Sequence, residues 1–259
     1  MVKLSAHQSA KFVKLIYIGD SGAGKTGSLE SLIEAGYELG ILDIDNGLDA
    51  LKQWIMHKAP NAIDKVDFET LTDSIRAGQN GPLVDAKAYV AGVKLLTKWS
   101  DGSTPSEWGE NKVLVIDSLT ALGKAAFEWA KGMNPSAKDP RQWYFAAQQS
   151  IENIIMMLTS AEFKANVIVI SHINYRELQD GTTKGYPSAV GSALGPTIPK
   201  YFNTLVMATT LGAGKNLQRR IQTIPTAVID LKNPAPFKIE ADYDLGTGMA
   251  QLFKQLKAL

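Results

Sequence analysis

Cysteine is absent from the 259 residues of this chain, and histidine occurs only three times. Disulfide bonds and cysteine-based metal sites are therefore excluded, and three scattered histidines disfavour a zinc site. The N-terminus lacks the charged-then-apolar pattern of a secretion signal, and no apolar run is long enough to cross a bilayer. These absences predict a soluble intracellular protein with no membrane partner.

Excess charge of either sign is also missing, because 27 basic and 26 acidic residues give a formal net charge of +1. The distribution is nevertheless uneven: residues 181–229 contain no Asp or Glu. The basic residues of this stretch are Lys184, Lys200, Lys215, Arg219 and Arg220. A nearly neutral protein can still carry a basic face that binds nucleic acid. The same stretch is rich in glycine and proline, which predicts a mobile surface loop, and a solvated loop without a partner is the alternative.

A glycine-rich loop follows the apolar run of residues 12–18. Its residues are Gly19, Asp20, Ser21, Gly22, Ala23, Gly24, Lys25, Thr26 and Gly27. Glycines allow backbone N–H groups to converge on phosphate oxygens, and the helix expected after the loop adds its positive dipole end. We expect Lys25 to reach the β- and γ-phosphates of ATP and the hydroxyl of Thr26 to bind Mg²⁺. The pattern predicts a nucleoside triphosphate site.

A second acidic position supports this prediction. Residues 113–116 form an unbroken run of valine, leucine and isoleucine, which is typical of a central parallel strand. Asp117 follows at the carboxyl end, where ligands bind in open α/β sheets. We expect Asp117 to contact the Mg²⁺ held by Thr26, directly or through water, and capping of the next helix is the alternative.

Strand-like and helix-like segments alternate along the chain. Strands are predicted over residues 39–45, 63–71 and 167–170, and a helix over 83–99 with Val90, Val93 and Leu96 on one face. The alternation predicts an α/β fold with a mostly parallel twisted sheet and helices on both faces. A single domain of this length is ordinary, so we expect one domain over residues 12–259. Residues 1–11 are expected to form an N-terminal segment that is mobile or contacts another subunit.

Three segments resemble signature sequences of the RecA recombinase core, in the same order. They are residues 41–49, 113–122 and 231–238, and a glycine turn at residues 246–248 precedes the last helix as it does in that core. The resemblance extends from about residue 12 to the C-terminus and implies a RecA-like P-loop ATPase. The chain is shorter than full recombinases and most resembles the compact RecA-like ATPases of bacteriophages, some of which anneal single strands.

The resemblance implies catalytic roles for three further residues. Asp45 stands where the family has the carboxylate that activates the attacking water, which is usually a Glu. Asp43 is the competing candidate for this role. Capping of the next helix by both acids is the alternative to a catalytic role. His172 stands at the position of a polar switch residue before the second DNA-binding loop, unless it is an inert strand-end residue. Lys232 matches a basic residue that enters the nucleotide site of a neighbouring subunit. The pair at residues 219 and 220 is a second candidate for this role.

The resemblance also implies partners. DNA contacts are expected from two loops through Arg176, Lys184, Tyr186, Lys200, Lys138 and Arg141. The implied function is a DNA-stimulated ATPase that binds single-stranded DNA and promotes annealing or strand exchange in phage-type homologous recombination. The protein would act in the cytoplasm, or in the cytoplasm of the host cell if it is phage-encoded. It would form a filament or ring with ATP between subunits, and a single-strand-binding protein would be a further partner. A RecA-fold motor or loader ATPase in replication or packaging is the alternative.

Overall fold

The structure is a computed structural model that describes residues 11–79 and 81–258. The strands are β1 (Lys14–Gly19), β2 (Glu38–Asp43), β3 (Val66–Thr70), β4 (Ser74–Gly78), β5 (Gly81–Asp85), β6 (Gly109–Asp117), β7 (Ala165–Ser171), β8 (Ile173–Glu177), β9 (Thr183–Pro187), β10 (Thr204–Leu211), β11 (Gln218–Gln222) and β12 (Asp242–Asp244). The helices are α1 (Glu30–Glu34), α2 (Asp49–Lys58), α3 (Ala88–Thr97), α4 (Leu119–Met133), α5 (Arg141–Thr159) and α6 (Leu245–Lys257).

A central sheet of eight strands has the order β12-β11-β10-β1-β7-β6-β2-β3. The six strands from β10 to β3 are parallel, and β11 and β12 add an antiparallel edge next to β10. Strand β7 therefore lies between β1, which precedes the glycine-rich loop, and β6, which ends at Asp117. The predicted α/β fold with a mostly parallel sheet is confirmed.

Both faces of the sheet are buried, which explains why its central strands are apolar without alternation. Along β1, Leu15 and Tyr17 pack on the side of α1 and α6, whereas Ile16 and Ile18 pack on the side of α4 and α5. Helices therefore cover both faces, as the sequence pattern predicts. The carboxyl ends of β1, β7, β6 and β2 meet at one edge, and this edge carries the polar side chains considered below.

The segment predicted as a helix over residues 83–99 differs from the structure. Residues 83–85 belong to β5, which pairs with β4, and α3 begins only at Ala88. The carboxylate of Asp73 determines this start, because its Oδ1 accepts hydrogen bonds from the N–H groups of Lys87 (2.8 Å) and Ala88 (2.7 Å).

The predicted apolar face of α3 is confirmed only at Leu96. Val90 and Val93 are exposed, and the buried face contains Tyr89, Gly92 and Leu96. The Tyr89 ring packs against Trp129 of α4 with centroids 4.8 Å apart, so an aromatic contact and a glycine set the orientation of the helix.

The acid-free stretch is more regular than the predicted mobile loop. Its first part completes the β8–β9 hairpin, in which Arg176 is opposite Lys184. The hairpin is attached to the body of the protein through Gly185, whose N–H donates to the carbonyl of Val228 at 2.9 Å. The predicted N-terminal segment lies outside the described residues, apart from Lys11. In the described ranges, no helix is long and apolar enough to cross a membrane.

Candidate nucleotide site

The glycine-rich loop joins β1 to a short 3-10 helix, Gly27–Leu29, that leads directly into α1. Gly22 and Gly24 adopt φ angles of 77° and 93°, a region that favours glycine. A β-carbon on Gly19 would lie 2.9 Å from the carbonyl oxygen of Ala208 in the neighbouring strand. These glycines therefore allow both the curvature of the loop and its close packing on β10.

Lys25 occupies the centre of this loop and is only 6% exposed. Its Nζ donates hydrogen bonds to the carbonyl oxygens of Gly19 (2.8 Å) and Asp20 (2.9 Å). Burial lowers the pKa of Lys25, and the nearby carboxylates of Asp117, Asp20 and Asp45 oppose this shift. The loop thus surrounds the ammonium group of Lys25, which backbone carbonyls hold in place. A phosphate group could replace these carbonyls as the hydrogen-bond acceptor of Lys25.

The Thr26 hydroxyl and the Asp117 carboxylate meet across the sheet edge. Thr26 Oγ1 donates to Asp117 Oδ2 at 2.6 Å, although β7 separates their strands. Burial raises the pKa of Asp117 to about 6; the Thr26 hydrogen bond opposes this shift, and the charges of Asp45 and Asp43 add to it. A divalent cation would relieve this crowding of negative charge.

A hydroxyl beside a carboxylate suits Mg²⁺, which prefers oxygen ligands and usually retains water and phosphate ligands. In the described part of the chain, no group of three or more His, Asp or Glu side chains could hold a metal on its own. The pair therefore fits an ion that enters together with a nucleotide, with Thr26 and Asp117 as the protein ligands.

The two acids after β2 have different environments. Asp43 is buried, and its carboxylate accepts hydrogen bonds from the N–H of Gly47 and the hydroxyl of Thr70, both at 3.1 Å. Asp45 is exposed and lines the cavity next to Lys25. Its position is set by β6, because the N–H groups of Ile44 and Asp45 both donate to the carbonyl oxygen of Asp117 (2.6 and 3.3 Å). Asp45 therefore has the accessible carboxylate, and Asp43 has a structural environment.

His172 directly follows β7 and lines the same cavity. Its backbone N–H donates to Thr120 Oγ1 at 3.1 Å, and its carbonyl accepts from the N–H of Ser188 at 2.8 Å. Burial lowers the pKa of the His172 imidazole, and the charge of Lys25 adds to this effect. A neutral imidazole can both donate and accept a hydrogen bond, which suits contact with phosphate or water.

The cavity has a volume of about 560 Å³ and includes three large side chains whose place in it the sequence patterns did not indicate. They are Trp54 of α2, Arg219 of β11 and Leu245 at the start of α6. A β-carbon on Gly24 would lie 2.6 Å from Leu245 Cδ2 and 3.3 Å from Arg219 Cδ. Arg219, a candidate for action across a subunit interface, therefore borders the nucleotide cavity of its own chain.

This part of the chain matches a known protein family. The AAA domain family AAA_24 matches residues 11–235, which include the loop and every acid described above. The chain belongs to this family. It is a P-loop ATPase, and its glycine-rich loop with Lys25 and Thr26 lies within the matched residues. No curated protein matches the chain significantly in sequence.

The solved structures that match the chain have little sequence in common with it. Flagellar accessory protein FlaH of Methanocaldococcus jannaschii has 11% identity, covering 89% of this chain and 83% of its own, with a TM-score of 0.43. A KaiC-like protein of Pyrococcus horikoshii has 11% identity, and the match covers 81% of this chain and 77% of that protein, with a TM-score of 0.39. An ATPase from the type III secretion system of pathogenic bacteria has 13% identity, and the match covers 76% of this chain and 51% of that ATPase, with a TM-score of 0.44.

Lys232 lies away from the nucleotide cavity of its own chain. Its backbone pairs with Leu205, through hydrogen bonds of 2.8 and 3.1 Å, near the amino end of β10. Three residues farther along β10, Ala208 is opposite Gly19, at the level where the phosphate loop begins. Lys232 is exposed and is not among the residues that line the cavity. Any contact with a nucleotide would therefore be with one bound to another subunit.

Three of the predicted DNA contacts are in ion pairs. Lys184 pairs with Asp230 (2.8 Å), Lys200 with Glu152 (3.2 Å), and Arg141 with Asp139 (2.7 Å). Asp230 and Glu152 lie outside residues 181–229, so the tertiary structure neutralises two cations of that stretch, whereas Asp139 is a near neighbour of Arg141 in sequence. The Arg176 guanidinium lies 5.6 Å from the centroid of the Tyr186 ring, and Lys138 is exposed.

Proposed function

We propose that this P-loop ATPase binds single-stranded DNA in an ATP-dependent manner and promotes annealing or strand exchange in phage-type homologous recombination. One arrangement carries the proposal: His172, which lines the nucleotide cavity, is the residue immediately before the β8–β9 hairpin. Arg176 and Tyr186 lie on that hairpin. A change at the phosphates could therefore alter a surface that has the cation and aromatic ring typical of single-strand binding.

For hydrolysis, Lys25 would bind the β- and γ-phosphates, and Asp45 would orient the attacking water and accept its proton. The water oxygen bonds to the γ-phosphorus as the bond to the bridging β–γ oxygen breaks, and ADP leaves. Mg²⁺, held by Thr26 and Asp117, would stabilise charge on the phosphate oxygens. Because Asp is one methylene shorter than Glu, either the loop moves inward or a second water relays the proton, and we expect slow turnover.

The base of the nucleotide would lie between Trp54 and Leu245, which we call the base slot. Trp54 is 48% exposed, and its ring is next to Gly27, where a β-carbon would lie 3.0 Å from Trp54 Cδ1. Stacking of a base on an aromatic ring contributes about 1–3 kcal/mol in nucleic acid complexes. The polar side chains of the cavity cluster around the phosphate loop, so the slot would bind the base mainly through its faces.

We propose further that Lys232 acts at the nucleotide site of a neighbouring subunit, as the trans-acting cation of a filament or ring. Its exposed position, away from its own cavity, supports this role. The proposed process takes place in the cytoplasm, with a single-strand-binding protein as an accessory partner.

A motor or loader ATPase in replication or packaging is a second candidate. The ion pairs of Lys184, Lys200 and Arg141 favour it, because paired cations contribute less to phosphate binding than free ones. Such an ATPase would be stimulated by a protein partner instead of by DNA alone.

The test combines two titrations: affinity for a labelled oligonucleotide with and without a non-hydrolysable ATP analogue, and the ATPase rate with and without DNA. We expect the analogue to strengthen DNA binding and DNA to raise the rate. Arg176→Ala should weaken binding to any sequence and reduce the log–log salt slope by roughly 0.7, the value for one lost phosphate contact on single strands. Arg76→Ala is the matched control, since this exposed arginine lies on the separate β4–β5 hairpin.

His172→Ala should retain both ligands but lose their mutual effect, because it removes the side chain between them. If the wild-type protein binds no DNA and DNA leaves its ATPase rate unchanged, the recombination role is wrong. Stimulation by a partner protein alone would then support the motor or loader role.

A further inference from the structure

A buried carboxylate lies directly behind the phosphate loop. Glu30 is the first residue of α1, and its side chain is only 2% exposed. Its Oε2 accepts a hydrogen bond from Lys58 Nζ at 2.7 Å, whereas its Oε1 has no hydrogen-bond partner in the described part of the chain. Buried ion pairs are a poor source of stability, because desolvation of the two charges offsets much of their attraction. This pair therefore calls for an explanation other than stability.

The ammonium group of Lys58 joins three elements. Lys58 is the last residue of α2, and besides Glu30 it donates to the carbonyl oxygen of Gly246 in the first turn of α6, at 2.9 Å. The carboxylate of Glu34 is 3.8 Å away, and the ring centroid of Trp54 is 5.8 Å away. One charged group thus connects the end of α2 with the beginnings of α1 and α6.

Two of these three elements, α2 and α6, form the base slot. Trp54 lies one helical turn before Lys58 on α2, and Leu245 directly precedes Gly246 on α6. Both slot side chains touch the phosphate loop, since β-carbons on Gly27 and Gly24 would lie 3.0 Å from Trp54 and 2.6 Å from Leu245. Neither Glu30 nor Lys58 lines the cavity, so they can affect a nucleotide only through these walls.

We propose that Glu30 and Lys58 are positioning residues for the base slot. They hold α2 and α6 against the beginning of α1, so that Trp54 and Leu245 have the separation that grips a base, while the phosphates are bound by the loop itself. The inference rests on the proposed nucleotide site, and it assigns to the buried pair a role in recognising the base of the nucleotide.

The experiment compares two ligands by isothermal titration calorimetry with Mg²⁺: ATP, and inorganic tripolyphosphate, which has the phosphates without the base. For the wild-type chain we expect ATP to bind at least about fivefold more tightly, the effect of one stacked base. Glu30→Gln with Lys58→Met removes both charges together and leaves no unpaired buried ion. In this variant the ratio of the affinity for ATP to the affinity for tripolyphosphate should fall by about three- to tenfold. The affinity for tripolyphosphate itself should change by less than about twofold.

Lys112→Met is the matched control. Lys112 also pairs with an acid, Asp67, at 2.8 Å and also lies over an indole ring, that of Trp108, at 4.5 Å, but it is outside the nucleotide cavity. It should leave the ratio of the two affinities unchanged. If the double variant does not fold, Glu30→Gln with Lys58→Gln replaces it, because two amides can still bond to each other while the shorter side chain no longer holds Gly246.

Equal loss of affinity for both ligands, or a lower melting temperature with an unchanged ratio, would mean that the pair has a structural role only, and either result overturns the inference. Equal binding of ATP and tripolyphosphate by the wild-type chain would overturn the base slot and the inference with it. Failure of the wild-type chain to bind either ligand would overturn the proposed nucleotide site itself. A selective loss for ATP supports the inference.

Discussion

Substitution of the two acids after β2 tests the assignment of the catalytic base. Asp45→Asn retains the shape of the side chain but removes its ability to accept a proton, so kcat should fall by about 10²- to 10⁴-fold, the usual contribution of a general base. Asp45 is exposed, and the cost in stability should stay within about 0.5 kcal/mol. The affinity for ATP should change little, because Lys25 and the loop backbone bind the phosphates.

Asp43→Asn should show the opposite profile. The new amide oxygen can still accept from the N–H of Gly47, and the Thr70 hydroxyl can rotate to accept from the amide N–H. The loss of a buried carboxylate that accepts two hydrogen bonds should still lower the free energy of unfolding by about 1–2 kcal/mol. That corresponds to a decrease of roughly 2–8 °C in Tm for a protein of this size. Since the chemistry is unaffected, kcat should fall by less than about tenfold.

Phosphate release at saturating ATP and Mg²⁺, a binding titration and a thermal melt on each variant give the three quantities. Asp49→Asn is the control, because it removes the same charge four residues farther along, from a residue that does not line the nucleotide cavity. If Asp43→Asn loses more than about 10²-fold in kcat while ATP binding is retained, and Asp45→Asn remains active, then Asp43 is the base and the reasoning from accessibility is refuted.

Three further predictions concern other parts of the chain. Lys25→Ala and Lys232→Ala subunits should each be inactive but partly restore ATPase activity when mixed in one oligomer, whereas absence of rescue in well-mixed oligomers would remove the role of Lys232 across the interface. Gly24→Ala should weaken ATP binding more than Gly22→Ala: both have positive φ, but only at Gly24 would the β-carbon contact a side chain of α6, at 2.6 Å, and equal titration curves would contradict this. Burial lowers the pKa of Lys14 to about 7 from 10.5, so the unfolded chain binds more protons between these values and the free energy of unfolding should rise with pH there. Denaturant melts of Lys14→Met should lack this rise.

The phosphate loop and the strand before it were predictable because their properties are local. Backbone curvature at Gly22 and Gly24 and the helix that follows Thr26 depend on residues within one loop. The position of Asp117 was predictable for a related reason, since an unbroken apolar strand ends at this residue, at the sheet edge where ligands bind. The α/β fold followed from the alternation of these segments.

Partners far apart in sequence could not be predicted in this way. Lys184 and Asp230 are 46 residues apart in sequence, and Glu152 and Lys200 are 48 residues apart. The neutralisation of these two lysines therefore depends on how the chain folds back. The orientation of α3 likewise depended on the contact of Tyr89 with α4. No periodicity of single segments carries such information.

Sequence by itself therefore determined the type of chemistry, because phosphate binding needs glycines, a lysine and a hydroxyl in one short loop. The tertiary structure alone decided which groups surround that loop. It left Asp45 accessible while Asp43 became hydrogen-bonded, and it brought Trp54 and Leu245 to the cavity from opposite halves of the chain. The physical reason is that burial and hydrogen bonding depend on neighbours in space, which the parallel sheet assembles from strands distant in sequence.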